Sequence, residues 1–220
     1  MSMLAHDMRS PLAAVITNLE YLEGSTPGWP REAAEALRDA QLSCGALAHL
    51  IGNLDIVGGA WTSSKASPVA LIDIVRSSAS RFGRHARLSD VTIDVRESTK
   101  LPAVLAPPSP LERALDNLIS NALQQASRGS VVRVTVERHG DSGAIAVADD
   151  GPIVPEELRE AVLTAEGQIA HKRRPECRYA RGLALYCAAR AAEAGGARVT
   201  VTERGGQSLL LLLVPLTAER

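Results

Sequence analysis

Four short strings of residues have the types and spacing to do chemistry. The first is His6-Asp7-Met8-Arg9-Ser10-Pro11-Leu12. A neutral imidazole with one bare ring nitrogen can accept a phosphoryl group. A neighbouring carboxylate such as Asp7 can hold the other ring N–H, fix the tautomer and raise its basicity. Ser10 falls one helical turn after His6 on the same face, where its hydroxyl can orient a water or a phosphoryl group. Pro11 removes the hydrogen bond to the carbonyl of Asp7 and bends the helix beside the histidine. The residue pair alone is a weak signal and fits a solvated surface histidine better.

The second string, Asn117-Leu118-Ile119-Ser120-Asn121-Ala122, places two amides four residues apart on one helix face. Carboxamide oxygens are hard ligands suited to Mg²⁺, which keeps waters and phosphate oxygens in its shell. Two polar residues on a wet helix face would read the same way. The third, Val147-Ala148-Asp149-Asp150-Gly151-Pro152, is a strand pattern ending in acid and glycine. A carboxylate there can accept a hydrogen bond from an exocyclic amine, and glycine lets backbone approach a flat ring. A plain turn is the other reading. The fourth is Tyr179-Ala180-Arg181-Gly182-Leu183-Ala184-Leu185 ahead of an Ala-rich helix. Glycine at a helix start turns bare N–H groups and the positive dipole end toward phosphates.

The elements that must carry these strings fall into two regimes. Residues 1–60 read as two helices. The first, from about Ser2 to Glu23, repeats Leu4, Met8, Leu12, Val15, Leu19 and Leu22 at helical spacing, and the Gly24–Pro30 segment stops it. The second, Arg31 to Val57, carries Ala33, Leu37, Ala40, Cys44, Leu47, Ile51 and Leu54 in alternating steps of four and three, a heptad seam. A lone hairpin buries little, so two hairpins forming a four-helix bundle, a homodimer, is the expected solution; docking on the chain's own second domain is the alternative. Residues 61–67 form a linker. Residues 68–220 mix helices (Leu71–Phe82, Leu111–Ala126, Arg178–Ala194) with strands (Val91–Val95, Val131–Arg138, Ala144–Ala148, Arg198–Glu203, Ser208–Val214). Strands outnumber crossover helices, which predicts an α+β sandwich with helices on one face of a mostly antiparallel sheet. His85, His139 and His171 fall in segments read as loops or turns.

Composition excludes several classes. Of 220 residues 45% are hydrophobic and only 3% aromatic, so the core is aliphatic. A net charge of -1 offers no basic field for nucleic acid or anionic membrane. The apolar run Ser208–Leu216 is far short of the roughly 20 residues that cross a bilayer, and the charged N-terminus does not read as a signal peptide. A cytoplasmic protein without membrane or nucleic-acid partners follows. Cys44, Cys177 and Cys187 lack metal-ligand spacing and read as reduced thiols, Cys44 and Cys187 in the core.

In this order the four strings resemble the H, N, G1 and G2 boxes of two-component sensor histidine kinases, and the resemblance covers nearly the whole chain. The first matches H-E-x-R-(T/S)-P-L except that Asp7 replaces Glu. The resemblance implies a helical hairpin, dimerising into a four-helix bundle, followed by an α+β sandwich of the histidine-kinase ATPase (Bergerat) type. It makes His6 the phosphoaccepting histidine, Asp7 the base, and Ser10 the hydroxyl that assists dephosphorylation of a partner. It assigns Asn121 to Mg²⁺, Asn117 to the phosphates, Asp149 and Gly151 to adenine, and Gly182 to the phosphate turn. The related gyrase, chaperone and mismatch-repair ATPases carry Glu at the place of Asn117; Asn cannot be that base, which suits transfer to histidine rather than hydrolysis. Departures are plain: Ile153 replaces the second G1 glycine, Ala180 and Ala184 the outer G2 glycines, Gln124 a lysine after the N box, and Leu163 and Glu166 paired phenylalanines of the lid. Lys172, Arg173, Arg174 and Arg178 are candidate phosphate contacts, or a solvated basic loop. The implied activity is autophosphorylation of His6 from Mg·ATP and transfer to a response-regulator receiver aspartate. The alternative is an ATP-deficient phosphotransferase that relays phosphate between receivers through His6. Because His6 follows only five residues, the sensory input is expected from a longer parent chain or from a partner.

Overall fold

The computed structural model describes residues 2–25, 28–58, 65–171 and 183–216. The chain divides into two compact units, Met1–Trp61 and Thr62–Arg220.

The first unit is a helical hairpin of α1 (Ser2–Ser25) and α2 (Arg31–Val57). Pro30 starts α2: its extended backbone cannot join the helix, but its carbonyl accepts from the N–H groups of Ala33 and Ala34 at 3.0 and 3.1 Å. Ala5, Leu12 and Ile51 form the buried centre, with Ile16, Cys44 and Leu54 against it. Farther along, Gln41 Nε2 donates to Leu19 O at 3.4 Å and to Glu23 Oε2 at 3.0 Å, and Arg9 pairs with Asp55 across the hairpin. The predicted seam of α2 is divided in the structure. Cys44, Ile51 and Leu54 serve the hairpin core, whereas Leu47 is exposed, as are Leu50 and Val57. A single neighbouring helix covers only a narrow stripe of α2, so part of its apolar surface stays outside.

The second unit is a five-stranded sheet with three main helices. Strand order is β2 (Thr92–Glu97), β4 (Val131–His139), β5 (Ser142–Ala148), β7 (Gln207–Pro215) and β6 (Arg198–Arg204). Only β2 and β4 pair in parallel. β1 (Ser67–Val69) and β3 (Val104–Ala106) form a separate antiparallel pair that sequence reading did not anticipate; three residues are too few for a periodicity. Register builds the core in rows. Val134 lies opposite Val147, Val147 opposite Leu210, and Leu210 opposite Val201. On the other face Ala144, Ala146, Ala148, Leu209, Leu211 and Leu213 are also buried together. Being buried on both faces explains why Leu209–Val214 is an unbroken apolar run rather than an alternation.

The helices are α3 (Leu71–Ser89), α4 (Pro108–Gln125) and α6 (Ala184–Ala194), with α5 (Ala165–His171) a short turn between. α3 runs seven residues beyond the predicted Phe82 and ends where Asp90 takes a left-handed conformation, φ 57° and ψ 45°. His85 therefore lies on a helix, not in a loop, and burial lowers its pKa. His139 ends β4, and His171 closes α5. Cys187 is fully buried, and burial pushes its thiol up to about 11 against the opposing charge of Arg113, as suits an inert core residue. Cys44 is half-buried in the hairpin, and Cys177 lies outside the described residues. Among the described residues no helix is long and apolar enough to cross a membrane.

Candidate functional site

The site is built first on α4. Pro108 opens the helix, where a missing N–H is harmless, and Ala126 leaves it in an extended conformation. The helix is buried almost all round. Leu111, Ala114, Leu115, Leu118, Ile119, Ala122 and Leu123 supply the apolar part. Asn117, Asn121 and Gln125, four residues apart, line one further face and are all buried. Asn117 Nδ2 donates to the carbonyl of Arg113 at 3.0 Å. Asn121 Nδ2 has no hydrogen-bond partner among the described residues, though Asn121 is 1% exposed. A buried amide left without a partner destabilises by ~1–3 kcal/mol. Since a flip exchanges its nitrogen and oxygen, the same side chain can present either a donor or a hard oxygen ligand. Gln124, where the resemblance expects lysine, donates to Ser120 Oγ at 3.3 Å.

The second part is the turn that follows β5. Asp149 is buried at 9% exposure and accepts a hydrogen bond from Gly151 N at 2.7 Å. Burial raises its pKa to about 6; the Gly151 N–H opposes this, and the adjacent Asp150 charge adds to it. Gly151 is required by space. A Cβ there would stand 2.6 Å from Asp149 Oδ1 and 2.9 Å from Gln125 Cβ. Any side chain would force the carboxylate and the end of α4 apart. Ile153, at the second G1 position, is 42% exposed and forms no part of this buried wall.

The third part is the stretch between the glycine boxes. It contains 3₁₀ turns at Glu156–Leu158 and Ala161–Leu163, followed by α5. Gly167 makes this packing possible: a Cβ would lie 1.9 Å from Ala161 O. Val162 and Gln168 are buried beneath it, and Val154 N ties the segment's start to Ser208 Oγ at 2.8 Å. α6 is described from Ala184; the predicted start at Arg178 lies outside the described residues. Ala184 is helical and buried, so alanine is suited to that place. The left-handed residue is Leu183, φ 57° and ψ 22°, a conformation that disfavours any side chain by ~1–2 kcal/mol. Gly182, Ala180 and the four basic residues Lys172, Arg173, Arg174 and Arg178 lie outside the described residues.

In the hairpin, His6, Asp7 and Ser10 all fall on α1, with Pro11 inside the helix. Asp7 and Ser10 are exposed; the side chain of His6 lies outside the described part of the structure.

The structure thus puts Asn117 and Asn121 on one buried face of α4 and brings Gly151, with Asp149, against Gln125 at the end of that helix. Sequence reasoning missed Gln125, which continues the spacing of the two asparagines by one more turn, and Asp150, whose Oδ1 accepts from Ser127 N at 3.0 Å. The first carried a legible signal; the second depends on where the chain returns after 23 residues.

The sequence pattern of the histidine kinase-, DNA gyrase B-, and HSP90-like ATPase family matches residues 106–218, just over half of the chain. The chain belongs to that ATPase family. Within it, the organisation is that of a sensor histidine kinase catalytic core. Histidine protein kinase SaeS of Staphylococcus aureus (strain MRSA252) is 25% identical over 203 residues, covering 90% of this chain and 58% of SaeS. The chain therefore spans little more than half the length of that relative. Among solved structures, full-length ShkA in complex with AMPPNP has a TM-score of 0.63 at 22% identity, covering 98% of this chain and 46% of ShkA. The histidine kinase AdeS of Acinetobacter baumannii has a TM-score of 0.56 at 14% identity, covering 96% of this chain and 98% of that one. These two likenesses establish the fold: helices followed by an α/β sandwich ATPase domain. The ATPase family implies nucleotide, and the residues fit it. The unpartnered Asn121 Nδ2, the close-approach glycine Gly151 and the buried acceptor Asp149 are groups of the kind that nucleotide binding uses.

Proposed function

We propose that this chain is the kinase core of a two-component system, which phosphorylates His6 from Mg·ATP and passes the phosphoryl group to an aspartate of a response-regulator receiver domain. The observation that carries the reading is the buried side chain of Asn121, whose Nδ2 has no partner among the described residues, on the face of α4 that it shares with Asn117. Flipped so that its oxygen takes that place, this side chain would hold Mg²⁺. Mg²⁺ supplies charge neutralisation on the phosphate oxygens. Asp149 accepts the adenine amino group, Gly151 admits the ring, and Asn117 and Gly182 serve the phosphates. Asn117 cannot take a proton from water, so the domain is suited to presenting ATP to a nucleophile rather than hydrolysing it.

The nucleophile is a ring nitrogen of His6. Its lone pair forms the N–P bond as the bond from the γ-phosphorus to the bridging oxygen of ADP breaks, and Asp7 holds or accepts the other ring proton. Ser10, one turn on, serves the later loss of phosphate from the receiver. A homodimer fits the hairpin. Met8, Val15 and Leu22 are exposed on α1 at seven-residue spacing, and Leu47, Leu50 and Val57 on α2. A second hairpin would cover both stripes.

Labelled ATP tests the reading. Label that is acid-labile, base-stable and absent from His6→Gln is expected. No label from ATP, with label from a phosphorylated receiver, would replace the kinase by the phosphate relay. No label from either would end both.

A further inference from the structure

The groups read above as holding opposite ends of the nucleotide belong to different elements. Asp149 follows β5, and Asn121 rides on α4. Their separation must be held for one ligand to meet both, and two contacts join the elements at this point. One is the close approach of Gly151 to Gln125, the last residue of α4. The other is the hydrogen bond from Ser127 N to Asp150 Oδ1 at 3.0 Å. Ser127 follows directly on the helix that carries Asn121, where Ala126 N still donates to Ala122 O at 2.9 Å. Asp150 is rigidly connected to Asp149, its neighbour in a turn pinned by the Gly151 N–H.

We propose that Asp150 is a positioning residue of the nucleotide site: its carboxylate locks the turn after β5 onto the end of α4 and thereby sets the spacing between Asp149 and Asn121. The proposal rests on the nucleotide reading above. Asp150 is exposed, so it contributes nothing to the core by burial. Although desolvation acts to raise its pKa, hydrogen bonds led by the Ser127 N–H hold the carboxyl below the usual range, so the locking group is ionised. The far side of the same connection is clamped as well. Gly129 N donates to Asp90 O at 2.6 Å and Thr92 N to Ser130 O at 3.0 Å. Ser127–Ser130 is therefore a fixed bracket, and Asp150 is what ties the site to it.

The test compares the unmutated chain with Asp150→Ala and Asp150→Asn at pH 8, where Asp149 is ionised. Mg·ADP binding is measured by calorimetry and adenosine binding by ligand-observed NMR. Asp150→Ala should weaken Mg·ADP about tenfold, the loss of one charged hydrogen bond. Adenosine, which reaches only Asp149, should change much less. Asp150→Asn keeps an acceptor for Ser127 N–H and should restore both. The proposal is overturned if Asp150→Ala leaves Mg·ADP unchanged, if Asp150→Asn is as poor as Asp150→Ala, or if adenosine and Mg·ADP weaken equally. Should the unmutated chain bind no Mg·ADP, the nucleotide reading fails by itself. Amide exchange in the ligand-free protein then decides the lock: Ser127 N–H should exchange about tenfold faster in Asp150→Ala and unchanged in Asp150→Asn. Unchanged exchange in Asp150→Ala would refute it.

Discussion

Asn117 and Asn121 stand one turn apart on the same buried face of α4, yet Asn117 Nδ2 donates to the carbonyl of Arg113 at 3.0 Å while Asn121 Nδ2 meets no partner among the described residues. The two amides are chemically identical, and the difference lies in where each points. One is satisfied by its own helix; the other is held available. Available polar groups inside a fold reduce stability, so this one should reveal itself in a stability measurement. Asn121→Leu, which removes the stranded amide at similar volume, should leave the ligand-free protein unchanged or more stable, by up to ~1–3 kcal/mol. It should abolish Mg²⁺-dependent nucleotide binding. Urea melts and calorimetry on the same preparation check both, and a clear loss of stability would mean that the amide is part of the ligand-free fold.

If Asp149 takes the adenine amine as proposed, nucleotide binding and fold stability should depend on pH in opposite directions. Its carboxyl titrates near 3.8 when unfolded and about 6 when folded, because burial disfavours the charge. Between those values the folded state holds a proton that the unfolded state has released. The stabilising contribution is complete below 3.8 and is lost as pH rises through about 6; at most it amounts to ~3 kcal/mol. Ligand-free protein should therefore lose stability from pH 4 to 7 more steeply than Asp149→Asn does. Nucleotide affinity should rise over the same interval, as the acceptor for the adenine amine ionises. Parallel urea midpoints for the two proteins across that range would contradict the burial account.

Leu47 gives a clean test of dimerisation because the hairpin itself leaves it exposed at 43%. Leu47→Asp should preserve helicity and convert a dimer into a monomer, since an unpaired charge in the dimer seam costs on the order of several kcal/mol. Sedimentation equilibrium at micromolar concentration measures it. An unmutated chain that is already monomeric would remove the four-helix bundle.

Gly167 is the tightest glycine of the molecule among those described, with the place of its missing Cβ 1.9 Å from Ala161 O. Gly167→Ala should push α5 off the preceding 3₁₀ turn at a local cost of ~1–3 kcal/mol. The expected sign is faster amide exchange across residues 161–170 with little change at β5 or β7. Unaltered exchange there would mean that the packed arrangement is not held in solution.

Much of the molecule could be read without its tertiary structure. The string from His6 to Leu12, the two-amide spacing on α4, and the acid-glycine end of β5 are local patterns, and local patterns follow from helix and strand periods alone. The bounds of α2 were legible because Pro30 and Gly58 punctuate it, and β4 was legible to within one residue because its valines alternate. What remained hidden was decided by neighbours distant in sequence. The heptad stripe of α2 could not say that Ile51 would turn inward and Leu47 outward, since that depends on which side α1 approaches. The apolar run of β7 carries no alternation to reveal its facing, because both faces are buried. Ala184 sits in the helix without strain, while Leu183 took the left-handed place, a fact about backbone angles rather than residue types. Ser127 meets Asp150, and Gln125 meets Gly151, only because β5 returns beside the end of α4. Residue identity supplied the chemical groups of this site; their availability and spacing came from packing, because whether a side chain finds a partner is settled by what the rest of the chain brings to it.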